Sequence, residues 1–236
     1  EFSPVIAEWL HWEKAKRILK KITLGTVILG ITLSILHQSG LGALFLMAKP
    51  KIHPLWWSQF IQILFFVSSI YAGLAMIIVE GTVSHRVFKR LIPPSHHHHF
   101  NDIIFGLAKG AAITMFVYYF FKALLFIHDK QWDMLNDGGG VWYLVEVIGF
   151  VLIPSLMFAF GFKHKSLNII KIAAVMALIG IILNRLNVSV ISFNWYADVH
   201  YFPTGQEIVV TLMVIFSEIW VFRWFVTRMP VFDSDH

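Results

Sequence analysis

Seven polar side chains interrupt the apolar runs of this chain, and their types suit proton transfer and hydrogen bonding. The stretch "SILHQSGLGALF" (34–45) sets His37 beside Gln38, and "ILNRLNVSVISF" (182–193) sets Asn184, Arg185 and Asn187 within one turn. Glu146 and Gln62 stand a few residues inside the ends of two other runs. Histidine accepts a proton near neutral pH, and a carboxylate can pass it on to an adjacent aqueous face. Amides supply donors that orient a carbonyl oxygen. A flat ring with two carbonyls, a quinone, needs little more than an apolar slot, a donor at each oxygen and a base. In this reading His37 and Glu146 are the catalytic groups. Gln38, Asn184 or Asn187 serve as amide partners of the ring, and Glu146 is the natural counter-ion of Arg185.

The elements that must position these groups are membrane helices. The 236-residue chain is 57% hydrophobic and only 14% charged, where a soluble domain carries about a quarter charged residues. Apolar runs long enough to cross a bilayer core of about 30 Å recur along it. The sequence predicts an all-α polytopic bundle of six spans, at about 22–47, 58–82, 103–127, 141–162, 168–193 and 206–227. Residues 1–21 read as an amphipathic segment on the membrane surface, and 229–236 as a C-terminal tail. Eleven Lys and Arg residues fall in the segments on the side of the termini, against Lys49, Lys51 and Lys130 on the other. The positive-inside rule puts both termini in the cytoplasm, with the protein in a bacterial or archaeal cytoplasmic (inner) membrane. At about 1.5 Å per residue, His37, Gln38, Gln62, Glu146, Asn184, Arg185 and Asn187 then share one layer in the outer third of the membrane. Lys122, near the outer end of the third span, is expected to snorkel, and Trp56–Trp57 to anchor the boundary.

The same residues admit plainer readings. A lone intramembrane histidine is more often a helix–helix hydrogen bond than a ligand, and Asn184 with Asn187 could be packing contacts. Glu80 and Glu218, with Glu146 and Arg185, would suit an ion- or proton-conducting subunit, and a structural anchor without chemistry is a third possibility. Conduction favours polar groups at every depth, whereas one layer favours a quinone. "HHHH" (96–99) reads as a solvated loop rather than a metal tract, and "DGGG" (137–140) as a flexible turn. With no cysteine, the chain has no cysteine-held iron–sulfur cluster or covalent haem of its own, and one clear intramembrane histidine argues against b-type haem. Electrons must therefore pass to a neighbouring subunit. The positive charge is explained by topology and gives no reason to expect nucleic acid.

Three stretches taken in order, "LHQSGLGALFLMAKPKIHPLWWS" (36–58), "ILNRLNVSVISF" (182–193) and "YFPTGQEIVVTL" (201–212), resemble the NrfD-like polysulfide reductase membrane subunits. The branch is that of the HybB-type subunits of nickel–iron hydrogenases, and the likeness runs over nearly all of 22–232. It implies a haem-free subunit reacting with menaquinone or ubiquinone. Its partners would be an extracytoplasmic iron–sulfur protein and a catalytic subunit: a hydrogenase, a molybdoenzyme or a multihaem cytochrome c. The matched positions are His37, Gln38, Asn184, Arg185, Asn187 and Glu207, and Arg185 and Glu207 enter the binding set on this ground alone. Relatives of this branch carry further spans ahead of "LHQS", so the chain is expected to be a C-terminal portion whose quinone pocket draws on helices it lacks. Gly205 stands where relatives often have a bulky aromatic.

Overall fold

A computed structural model describes residues 13–87, 96–136, 138–195 and 201–228. These are almost wholly helical, and six helices are long and apolar enough to cross a membrane. They are α1 (Glu13–Leu44), α2 (Ile61–Val87), α3 (His96–His128), α4 (Gly138–Lys163), α5 (Leu167–Asn194) and α6 (Gly205–Arg228). Two compact units result: residues 35–200, and residues 1–34 with 201–236.

Within the larger unit α2 packs on α3, α3 on α4, α4 on α5 and α5 back on α2, closing a ring. Small side chains make this possible. Ala75, Ala108, Ala111, Ala173, Ala174 and Ala177 are fully buried at the helix contacts, where they let backbones approach in the absence of a hydrophobic drive between lipid-soluble surfaces. Larger buried groups, Tyr71, Met115, Tyr118 and Phe158, fill the space between them. A second core closes one end of the ring, where "KIHPLWWS" folds inward and buries Ile52, Leu55 and Trp56 against Phe65, Tyr143, Val147 and Val188. Its backbone is tied down on two sides. His53 N–H donates to the Ser192 carbonyl (3.1 Å), and Gln131 Nε2 donates to the Pro54 carbonyl (2.8 Å).

Two helices depart from regular α geometry, and both departures carry polar residues. In α4 the segment Val145–Leu152 widens into a π-helix, with Ile153 N–H bonding the Ile148 carbonyl five residues back. Pro154 follows directly, and since it has no N–H the ladder is already interrupted there. In α5 the segment Asn187–Ile191 does the same, and Ser192 N–H bonds the Asn187 carbonyl. Such bulges rotate the residues on either side relative to each other, and they concentrate at functional sites. Here they carry Glu146 and Asn187.

The six spans stand as expected, with changed edges. Residues 13–21 continue α1 without a break, while 1–12 and the tail 229–236 lie outside the described residues. His96–His99, expected in a loop, form the first turn of α3. Gly138–Gly140, expected in a turn, open α4. A Cβ on Gly140 would run into the Leu135 carbonyl, so that close approach requires glycine.

Candidate functional site

Glu146 is 1% exposed, and four donors converge on its carboxylate. Lys122 Nζ (2.8 Å) and Asn184 Nδ2 (2.7 Å) donate to Oε1. Trp56 Nε1 (2.8 Å) and Asn187 Nδ2 (2.5 Å) donate to Oε2. Four donors on two oxygens are the surroundings of an ionised carboxylate, and the Lys122 ammonium balances its charge. Asn184 and Asn187, three apart on α5, bracket the carboxylate with their amide nitrogens, and each turns its carbonyl to a further donor. Asn187 Oδ1 accepts from Trp142 Nε1 (3.0 Å) and Asn184 Oδ1 from Arg185 Nη1 (3.1 Å).

Three sequence-based expectations change here. Glu146 pairs with Lys122, not with Arg185. Lys122 does not snorkel; it is 6% exposed and turns inward over the Tyr143 ring, 4.8 Å from its centroid. Trp56 is not a boundary anchor but a buried donor to the carboxylate. A signal was present: a carboxylate among apolar residues demands donors, and Lys122, five residues inside the outer end of its span, stands at the depth of Glu146.

Arg185 faces the other way. Its guanidinium lies on the Phe65 ring, Cζ 3.6 Å from the centroid, and Nη2 donates to Ser68 Oγ (2.7 Å). Among the described residues the ion pairs are Lys122–Glu146 and His128–Asp129, so no carboxylate there pairs directly with Arg185. Arg185 lines a cavity of about 460 Å³ with Gln38, Phe45, Phe65, Ser189 and Phe193, the remaining wall being Leu41, Leu44 and Ala48. The last turns of α1 press against α2 to form it. Ser39 Oγ donates to the Gln62 carbonyl (3.2 Å), and a Cβ on Gly42 would come within 2.9 Å of Phe65.

The expected residues therefore divide. Gln38 and Arg185 share the pocket. Asn184 and Asn187 stand behind it on Glu146. His37, next to Gln38, is exposed on α1 and is not among the lining residues. Glu207 lies in the other unit, where it caps α6: Thr204 N–H donates to its carboxylate (3.2 Å) in a Thr-x-x-Glu capping pattern. Tyr201 OH also donates to it, and that bond holds the phenol above its ordinary pKa. Glu80 and Glu218 are both exposed, Glu218 in the other unit. Among the described residues no group of three or more His, Asp or Glu side chains could hold a metal ion.

Membrane-length helices closed around a charged interior define a multi-pass integral membrane protein. The chain belongs to the family described as "Polysulphide reductase, NrfD", whose model matches residues 3–197; its members are membrane subunits of respiratory oxidoreductase complexes. It is 41% identical over 233 residues to a protein of Nitratidesulfovibrio vulgaris, covering 98% of this chain. It is 24% identical over 243 residues to the probable Ni/Fe-hydrogenase 2 b-type cytochrome subunit of Escherichia coli K12, covering all of this chain. The chain spans 60% of the length of each of these two relatives. No solved structure gives a significant match.

Proposed function

We propose that this chain is the quinone-reactive membrane subunit of a respiratory oxidoreductase, passing electrons between the quinone pool and an extracytoplasmic iron–sulfur or multihaem partner. One observation carries the reading: the Arg185 guanidinium, without a directly paired carboxylate among the described residues, faces an aromatic-walled pocket inside a membrane span. An intramembrane arginine without a directly paired carboxylate costs about 2.5–3.5 kcal/mol on insertion, a cost offset when the site receives an oxygen bearing negative charge. A quinone offers that oxygen, and its negative charge grows on reduction. Phe45, Phe65 and Phe193 provide flat walls for the ring, with Arg185 and Gln38 as donors to its carbonyls. His37 is open to the surface one residue outside the pocket wall. It takes in turn the two protons that quinol oxidation releases and passes each to the aqueous face, while the two electrons go to the iron–sulfur or multihaem partner. Menaquinone and ubiquinone both fit this chemistry. The likeness to a hydrogenase subunit of Escherichia coli favours a hydrogenase as the catalytic partner over a molybdoenzyme.

Glu146 takes a different part from the relay expected of it. Asn184 and Arg185 stand between its carboxylate and the pocket, and its oxygens are already filled with donors. The test is Arg185→Met in membranes containing the whole complex. Affinity for a quinone analogue should fall about 10–100-fold, the effect of losing a hydrogen bond to a charged group. Unchanged affinity in an assembled complex rejects the reading.

A further inference from the structure

Two cations approach one buried carboxylate. Lys122 reaches Glu146 from α3 at 2.8 Å. Arg185, on α5, stops one amide short: its Nη1 bonds Asn184 Oδ1, and the Nδ2 of the same amide bonds Glu146 Oε1. In a low-dielectric interior a guanidinium is the better match for a carboxylate, because it makes two parallel hydrogen bonds and is the more weakly hydrated ion. Left to itself, Arg185 belongs on Glu146. Lys122, with Trp56 and the two asparagines, fills every position on that carboxylate.

We infer that Lys122 is a positioning residue for the pocket: by occupying Glu146 it keeps the Arg185 guanidinium available to the ligand. This rests on the quinone-pocket reading above. The orientation of Asn184 belongs to the same device. Its amide nitrogen is committed to an anion, so its carbonyl is turned to the guanidinium and holds Nη1. Ser68 and the Phe65 ring hold the rest of the group, which leaves its remaining N–H donors for a carbonyl oxygen in the cavity. Lys122 is absent from the pocket wall, so any effect it has on ligand affinity passes through Glu146 and Arg185.

Removing the Lys122 charge should free one side of Glu146 and draw Arg185 out of the pocket onto it. The experiment measures binding of a fluorescent hydroxyquinoline N-oxide, a flat ligand with a negative oxygen, together with quinone-linked turnover in membranes holding the whole complex. Lys122→Met should weaken the probe and raise the quinone KM by about 10–100-fold, with kcat less affected. Lys122→Gln, which keeps a donor on Glu146 without the charge, should shift both in the same direction and guards against a folding failure of the first variant. Lys122→Arg keeps the charge and should retain wild-type affinity. The double variant Lys122→Met/Glu146→Gln removes the carboxylate that attracts Arg185 and should recover at least tenfold of the lost affinity. A packing defect would lower assembly in single and double variants alike and give no such recovery. Wild-type affinity in Lys122→Gln, or no recovery in the double variant, overturns the inference. If Arg185→Met itself leaves the probe bound as in wild type, the pocket reading falls and not only the part given to Lys122.

Discussion

Lys122 and Glu146 stand on neighbouring helices with Nζ and Oε1 2.8 Å apart, both shut away from the surface. The pair links α3 to α4, and through the two asparagines and Trp56 it also ties α5 and the "KIHPLWWS" segment to the same two oxygens. Breaking it from one side leaves a charge without its partner. Glu146→Leu would strand the Lys122 ammonium and three neutral donors, a change expected to cost about 3–5 kcal/mol. Thermal unfolding of the purified complex in detergent should show a clear drop in Tm. A variant as stable as wild type would mean that the ring does not depend on this cluster.

His37 carries the proton chemistry proposed for the pocket. His37→Gln keeps a hydrogen-bonding side chain of similar length and removes the titrating group. Quinol-linked turnover should fall by about 10²–10⁴-fold, the usual contribution of a positioned acid–base group, with assembly unchanged. Wild-type turnover would make His37 a packing or surface residue.

Gly42 lets α1 approach the pocket wall. A side chain there meets Phe65 at 2.9 Å, and Phe65 is the platform under Arg185. Gly42→Val should cost about 1–3 kcal/mol of stability through overpacking and should also weaken the quinone analogue. Loss of stability with unchanged ligand affinity would separate Phe65 from the site.

The charge count predicts topology independently of the fold. Reporter fusions after residues 52 and 134 should report the outer side, and a fusion after residue 165 the cytoplasm. The reverse pattern would place the Glu146 cluster near the cytoplasmic face and the proton release with it.

Haem is the last expectation. The Escherichia coli relative carries "b-type cytochrome" in its printed name. The one buried histidine among the described residues, His53, accepts a backbone bond from Leu55 N–H at Nδ1 and packs edge-on against Trp56 and Trp195. Reduced-minus-oxidised spectra of purified protein should show no stoichiometric b-type band. A one-to-one signal lost on His53→Ala or His37→Ala would identify an axial ligand.

The sequence alone determined the architecture. Six apolar runs of membrane length leave a chain no alternative to helices, because every backbone group must be paired where there is no water. It also put Glu146, Asn184, Arg185 and Asn187 in one layer by helix rise, and in the structure these four are joined by hydrogen bonds. What it could not determine was which face of each helix those residues occupy. That depends on the ring of contacts and on two π-helical segments, Val145–Leu152 and Asn187–Ile191, each of which shifts the helical register by one residue in a way no apolar periodicity reveals. Charge alone paired Glu146 with Arg185. The tertiary structure gave the carboxylate to Lys122 and turned Arg185 to the pocket, because α3 brings its lysine to Oε1 while Phe65 and Ser68 on α2 hold the guanidinium away.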